Sequence, residues 1–121
     1  MSESIKVSDN YFRKVKVERC VDGDTVDVLK DMGERVWKRD RYRLLGIDTP
    51  ERGKPGYYEA TEYLEMIILR EEDSEGFIMM RTMKHGKFRW LAELYGPESG
   101  VNLNQEMIDA GHAVPYDGGK K

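Results

Sequence analysis

Between Tyr11 and Gly46 the chain runs through three strand-length segments broken only by turn residues, and this constrains the fold more than any other feature. Val15 and Val17 alternate with Lys14, Lys16 and Glu18 from Tyr11 to Val21, the period of two expected of a half-buried strand. Asp22-Gly23 supplies a tight turn, after which Thr25, Val26, Val28 and Leu29 resume β-favouring composition. Asp31-Met32-Gly33 makes a second turn, and Arg35 to Gly46 then reads as a long strand carrying Val36, Tyr42, Leu44 and Leu45. Three consecutive strands joined this tightly form a meander, and no helix interrupts them.

The remaining chain completes the pattern. Residues 49–56 hold two prolines and two glycines and form a loop. Ala60, Tyr63, Leu64, Ile67 and Ile68 then fall on one face of a helix that begins at Tyr57 and ends near Glu71. The acidic run from Glu71 to Gly76 reads as a solvated connection. Phe77 to Met83 and Phe88 to Tyr95 are strand-length, joined by a hairpin turn at Lys84-His85-Gly86-Lys87. After Gly96-Pro97, Asn102 and Gln105 resemble a capping pair. They precede the apolar stripe Leu103, Met107, Ile108 and Ala110, which ends at Gly111. The order βββαββα predicts an α+β chain, mainly β with two helices, closed into a five-stranded barrel of the OB-fold type.

A length of 121 residues fits one domain, read as a lead over 1–10, the folded unit over 11–116 and a tail over 117–121. Lys plus Arg total 20 against 23 Asp plus Glu, so overall charge does not advertise a nucleic-acid binder. Phosphate binding depends instead on local arginine clusters. No apolar run approaches the roughly 20 residues that span a bilayer, and the first six residues lack an apolar signal core. A cytoplasmic protein without membrane partners is therefore expected. The single cysteine, Cys20, excludes an internal disulfide and a multi-cysteine zinc site, and it reads as a small buried hydrophobe. His85 and His112 read as turn and helix-end residues, and Trp37, Trp90 and the methionines as packing.

Chemistry concentrates at two acidic turns, Asp22-Gly23-Asp24-Thr25 and Gly46-Ile47-Asp48-Thr49-Pro50-Glu51. An EF-hand reading of the first fails, because Gly33 stands where a loop opening at Asp22 needs its twelfth-position glutamate. If the second and third strands are neighbours, Asp24 and Asp48 can approach and form an oxygen-only site for a hard divalent ion. Arg43, five residues before Asp48, and Arg89 in the fifth strand could clamp a phosphate. Glu51 could orient or deprotonate a water. Turn capping by aspartate and surface pairing by arginine account for the same residues, and composition alone does not choose.

At these residues the sequence resembles the staphylococcal nuclease (thermonuclease) family. The matching segments are Val21-Asp22-Gly23-Asp24-Thr25-Val26, Arg43-Leu44-Leu45-Gly46-Ile47-Asp48-Thr49-Pro50-Glu51, Arg89-Trp90-Leu91-Ala92 and Val101-Asn102-Leu103-Asn104 followed by Gly111. They lie in family order and cover roughly residues 11–116. The resemblance implies an OB-fold and a calcium-dependent phosphodiesterase that cuts single-stranded or frayed DNA and RNA by attack of water on phosphorus, leaving 3′-phosphate ends. It implies that Asp24 and Asp48 bind Ca2+ through side chains and Thr49 through its carbonyl. Arg43 and Arg89 would hold the scissile phosphate, Glu51 would act on the water, and Asp22 would stand behind the ligands. Tyr116 resembles a nucleotide-stacking tyrosine, with packing on the barrel as the other reading. A monomer is expected, akin to the short nucleases of bacteria and phages.

Two alternatives follow from the same residues. An inactive OB module would bind nucleic acid or protein, although it has no reason to keep carboxylates beside phosphate. A two-metal magnesium nuclease generally needs more bridging carboxylates than this set offers. One departure from the family concerns register: the glycine before the second arginine is absent, and Lys87-Phe88 leads straight into Arg89. A one-residue deletion within a strand reverses the face a side chain occupies, so the hairpin has to absorb it for Arg89 to serve.

Overall fold

The computed structural model describes residues 11–85 and 89–116, with side chains over 12–82 and 91–116. The expected lead, the tail and Gly86-Lys87-Phe88 lie outside the described residues. Strands β1 (Tyr11–Asp22), β2 (Thr25–Asp31) and β3 (Trp37–Leu44) form the meander. After a two-residue strand β4 (Ile47–Asp48) come helix α1 (Tyr57–Glu71), strands β5 (Ile78–His85) and β6 (Arg89–Tyr95), helix α2 (Leu103–Asp109) and β7 (Val114–Pro115). Five strands close into a barrel in the order β1-β2-β3-β6-β5, while β4 and β7 pair separately. The expected α+β architecture with a five-stranded OB-like barrel and two helices is therefore what the chain adopts.

β1 makes closure possible because it serves two neighbours. Tyr11 to Val15 pair with β5, and Val15 to Asp22 pair with β2 through two register shifts, at Val17/Arg19 and Cys20/Asp22. Such irregularities bend a strand and increase its twist, which lets one strand turn the corner of a small barrel. Alternate residues of the strands, among them Val15, Val26, Val28, Tyr42, Leu44, Ile78, Met80, Ala92 and Leu94, are buried. Ala60, Leu64, Ile67 and Ile68 of α1 and Leu103 and Met107 of α2 join the same core. No helix among the described residues is long and apolar enough to cross a membrane.

Three local expectations need correction. The third strand runs Trp37–Leu44 rather than Arg35 to Gly46, because Arg35 at one end and Gly46 at the other take φ values of 68° and 83°, left-handed conformations that a strand does not contain. His85 belongs to β5, where it pairs with Arg89, rather than to a turn. The capping pair is half of a box: the Asn102 side chain accepts the Gln105 N–H at 3.1 Å, but the Gln105 amide donates onward to Asp109.

The barrel seam is narrow. β3 and β6 pair in parallel over only Arg43–Leu91 and Leu44–Ala92. Asn104, 4% exposed on α2, reinforces it. Its amide nitrogen donates to the Leu45 and Ala92 carbonyls, at 2.9 and 3.0 Å, and its oxygen accepts the Leu94 N–H at 3.1 Å.

Candidate functional site

The two acidic turns meet at the end of β3. The β2–β3 register sets Thr25 opposite Arg43, which places the neighbouring Asp24 beside the arginine. Gly23 allows the approach: a Cβ there would lie 2.9 Å from both the Ala60 Cβ and the Thr49 Oγ1, so the turn is pressed between α1 and the segment after β4. Asp24 is 5% exposed. Its Oδ1 accepts the Thr25 hydroxyl at 3.1 Å, and its Oδ2 accepts the Thr49 backbone N–H, also at 3.1 Å.

Arg43 joins the two turns. Its Nη1 lies 3.1 Å from Asp24 Oδ2, and its Nη2 lies 3.3 Å from Asp48 Oδ1. Nη2 also donates to the Ile47 carbonyl at 3.1 Å. The Tyr116 ring covers the guanidinium, with 5.1 Å from Cζ to the ring centroid, and the Tyr116 N–H is fixed to the Gly46 carbonyl at 2.9 Å. Two carboxylates facing one guanidinium leave an excess of one negative charge. Behind them, burial and then the hydrogen bond and charge of Asp24 push the Asp22 carboxyl up from its ordinary value. Asp22 Oδ1 and Thr49 Oγ1 are buried without a hydrogen-bond partner.

The structure thus brings together Asp24, Arg43, Asp48, Thr49 and Tyr116, with Asp22 adjoining. Glu51 is exposed at the start of the next turn, where its carbonyl accepts the Lys54 N–H at 2.9 Å. Arg89 opens β6, and the pairing of β6 with β5 runs from His85–Arg89 to Met79–Tyr95 without a shift. Arg89 therefore shares the register parity of Leu91, the partner of Arg43. The Arg89 side chain lies outside the described residues.

Two contributors were named in the sequence only as parts of motifs. Thr25 holds one oxygen of Asp24, and Asn104 ties Leu45, just after β3, to β6 beside Arg43. Thr25 acts on its own chain neighbour, whereas the role of Asn104 has no local signal, because its partners are brought in by folding.

No group of three or more His, Cys, Asp and Glu side chains gathers as a metal cage among the described residues. A cation here would draw on two carboxylates completed by backbone oxygen and water. That oxygen-only donor set suits a hard divalent ion. The carboxylate oxygens such an ion would take are those now facing the Arg43 cation. Compared with known protein families and with curated proteins, the chain finds no match.

Proposed function

We propose that this chain is a calcium-dependent nuclease of the staphylococcal nuclease type, hydrolysing DNA and RNA to products with 3′-phosphate ends. The observation that carries the reading is the convergence of Asp24 and Asp48, from separate turns, on the guanidinium of Arg43. Asp24, Asp48 and the Thr49 carbonyl would hold the calcium ion. When bound, the ion polarises a phosphate oxygen and makes a water molecule more acidic.

The protein groups do the rest. Arg43 presents a planar fork of N–H donors at the edge of the site, and charge accumulating on nonbridging phosphate oxygens is stabilised by such preorganised donors. Its bonds to Asp24 and Ile47 hold it in place before substrate arrives. Glu51, exposed and three residues beyond Asp48, is available to accept the proton of the attacking water. Arg89 is the proposed donor to the leaving 5′ oxygen.

The decisive experiment incubates single-stranded DNA with the protein in calcium, magnesium or chelator and determines the end chemistry. Calcium-dependent cutting with 3′-phosphate ends supports the proposal, and undiminished cutting in chelator excludes it. Binding without cutting under every condition would instead identify an OB module that only binds. Arg43→Ala and Glu51→Ala should each lower turnover by about 10²- to 10⁴-fold, the range for losing a charge-stabilising donor or a general base. Wild-type rates in both variants would leave these residues structural only.

A further inference from the structure

The outer side of β3 carries Trp37, Arg39, Arg41 and Arg43 at alternate positions in an unbroken register with β2. Arg43 belongs to the site already described. At the other end Trp37 stacks on Phe77, with ring centroids 5.9 Å apart and planes inclined by 16°. Lys14 and Lys16, alternate residues of β1, hold their ammonium groups 4.8 and 5.1 Å from the Phe77 centroid. Phe77 is 8% exposed and forms a floor, whereas Trp37 is 42% exposed and the adjoining Val36 55%.

Packing accounts for the buried Phe77 and for one face of the indole. It gives no reason for leaving so much of a tryptophan in water above a ring that two lysines approach. Aromatic faces bordered by cationic side chains bind unstacked bases, because every base has a π-face and every nucleotide carries a phosphate. We propose that Trp37, stacked on the Phe77 ring that Lys14 and Lys16 approach, is a stacking subsite for one base of a single-stranded nucleic acid whose backbone follows β3 toward Arg43. The proposal rests on the nuclease reading for its choice of ligand. Arg43 lies six residue steps along the strand from Trp37, about 20 Å, a span suited to an oligonucleotide rather than a mononucleotide. Between them, Arg39 pairs with Glu18 and Arg41 with Asp27. The two arginine side chains are 72% and 59% exposed, so exchanging carboxylate for phosphate costs little.

The test measures binding of a fluorescent single-stranded 12-mer of deoxythymidine in chelator, apart from cleavage. Trp37→Ala should weaken binding about tenfold, and Trp37→Tyr should restore most of it. The paired variant Lys14→Gln with Lys16→Gln should reduce the slope of log affinity against log salt by about 1.4, since each phosphate neutralised on a single strand adds roughly 0.7 to that slope. Unchanged affinity in Trp37→Ala, or no binding by the wild type, overturns the subsite. Unchanged salt dependence in the lysine variant overturns the part assigned to those residues, even if Trp37→Ala folds poorly. Wild-type binding that depends on Trp37, without calcium-dependent cutting, keeps the subsite and removes the nuclease. Cutting by a protein whose binding ignores Trp37 does the reverse.

Discussion

Arg43 is the residue on which both stability and the proposed chemistry turn. Asp24 is buried, and its charge is met by Arg43, the Thr49 N–H and the Thr25 hydroxyl. Removing the guanidinium leaves a desolvated carboxylate short of a partner, so Arg43→Ala should cost about 1–3 kcal/mol. Adding Asp24→Asn to that variant should return part of the loss, which urea denaturation in a double-mutant cycle would measure. Cys20 provides a second residue-scale test. Burial, then the nearby charge of Glu65, pushes its thiol from 9.0 up to about 12. A raised folded-state value means that the stabilising contribution is complete below about 9 and is lost as pH rises toward 12. Cys20→Ala should therefore lose less stability than the wild type between pH 9 and 11, and at pH 8 the folded thiol should resist alkylation. The sequence signals a buried Cys20, since a lone small hydrophobe at a strand end has little other use. Trp37 reads in the sequence as packing alone, because composition cannot distinguish an aromatic ring wholly enclosed from one that leaves a face in solvent.

At the scale of elements, legibility follows length. α1 is readable because its apolar stripe holds from Ala60 to Ile68, and the observed helix has the expected bounds, Tyr57–Glu71. β4 and β7 are not, since two residues each carry no period. The β2–β3 turn places two non-glycine residues, Glu34 and Arg35, at positive φ. Such conformations cost roughly 1–2 kcal/mol each, and glycine would relieve that strain while offsetting part of the gain through its greater unfolded-state freedom. Arg35→Gly should therefore raise stability by about 0.5–1 kcal/mol, read as a higher urea midpoint at an unchanged slope. Between helices, Arg70 of α1 donates to both oxygens of Glu106 of α2, at 2.8 and 2.7 Å, and the Tyr63 hydroxyl adds a third bond at 3.1 Å. Arg70 above all holds the Glu106 carboxyl below its ordinary 4.5. A depressed value stabilises above 4.5 and fades as pH falls through the folded value. Glu106→Gln should cost about 0.5–1 kcal/mol at neutral pH, because the Arg70 side of the pair is 44% exposed and partly screened by water. Acid denaturation curves of variant and wild type should converge below that range.

The whole molecule explains why the candidate site is legible in the sequence only as fragments. Asp24 and Asp48 stand far apart in the chain, and nothing local says that they meet; the antiparallel register Thr25–Arg43 and the passage through β4 bring them to one guanidinium. Asn104 shows the same limit, as its three hydrogen bonds join segments that only a closed barrel makes neighbours. Asn104→Ala should destabilise by about 1–3 kcal/mol, since it removes three hydrogen bonds to backbone groups at the seam, although the Ala92 carbonyl keeps the Leu45 N–H. Differential scanning calorimetry would record the loss. The cylinder is thus zipped shut by two parallel teeth, with one amide as the bolt, and Arg43 is itself one of the teeth. Warming should unlatch that zip before it melts the antiparallel staves. The Leu45 amide proton, held across the seam by the Ala92 carbonyl, would then exchange with deuterium sooner than those of Val26 or Val28, and the working groove would come apart while most of the wall still stood.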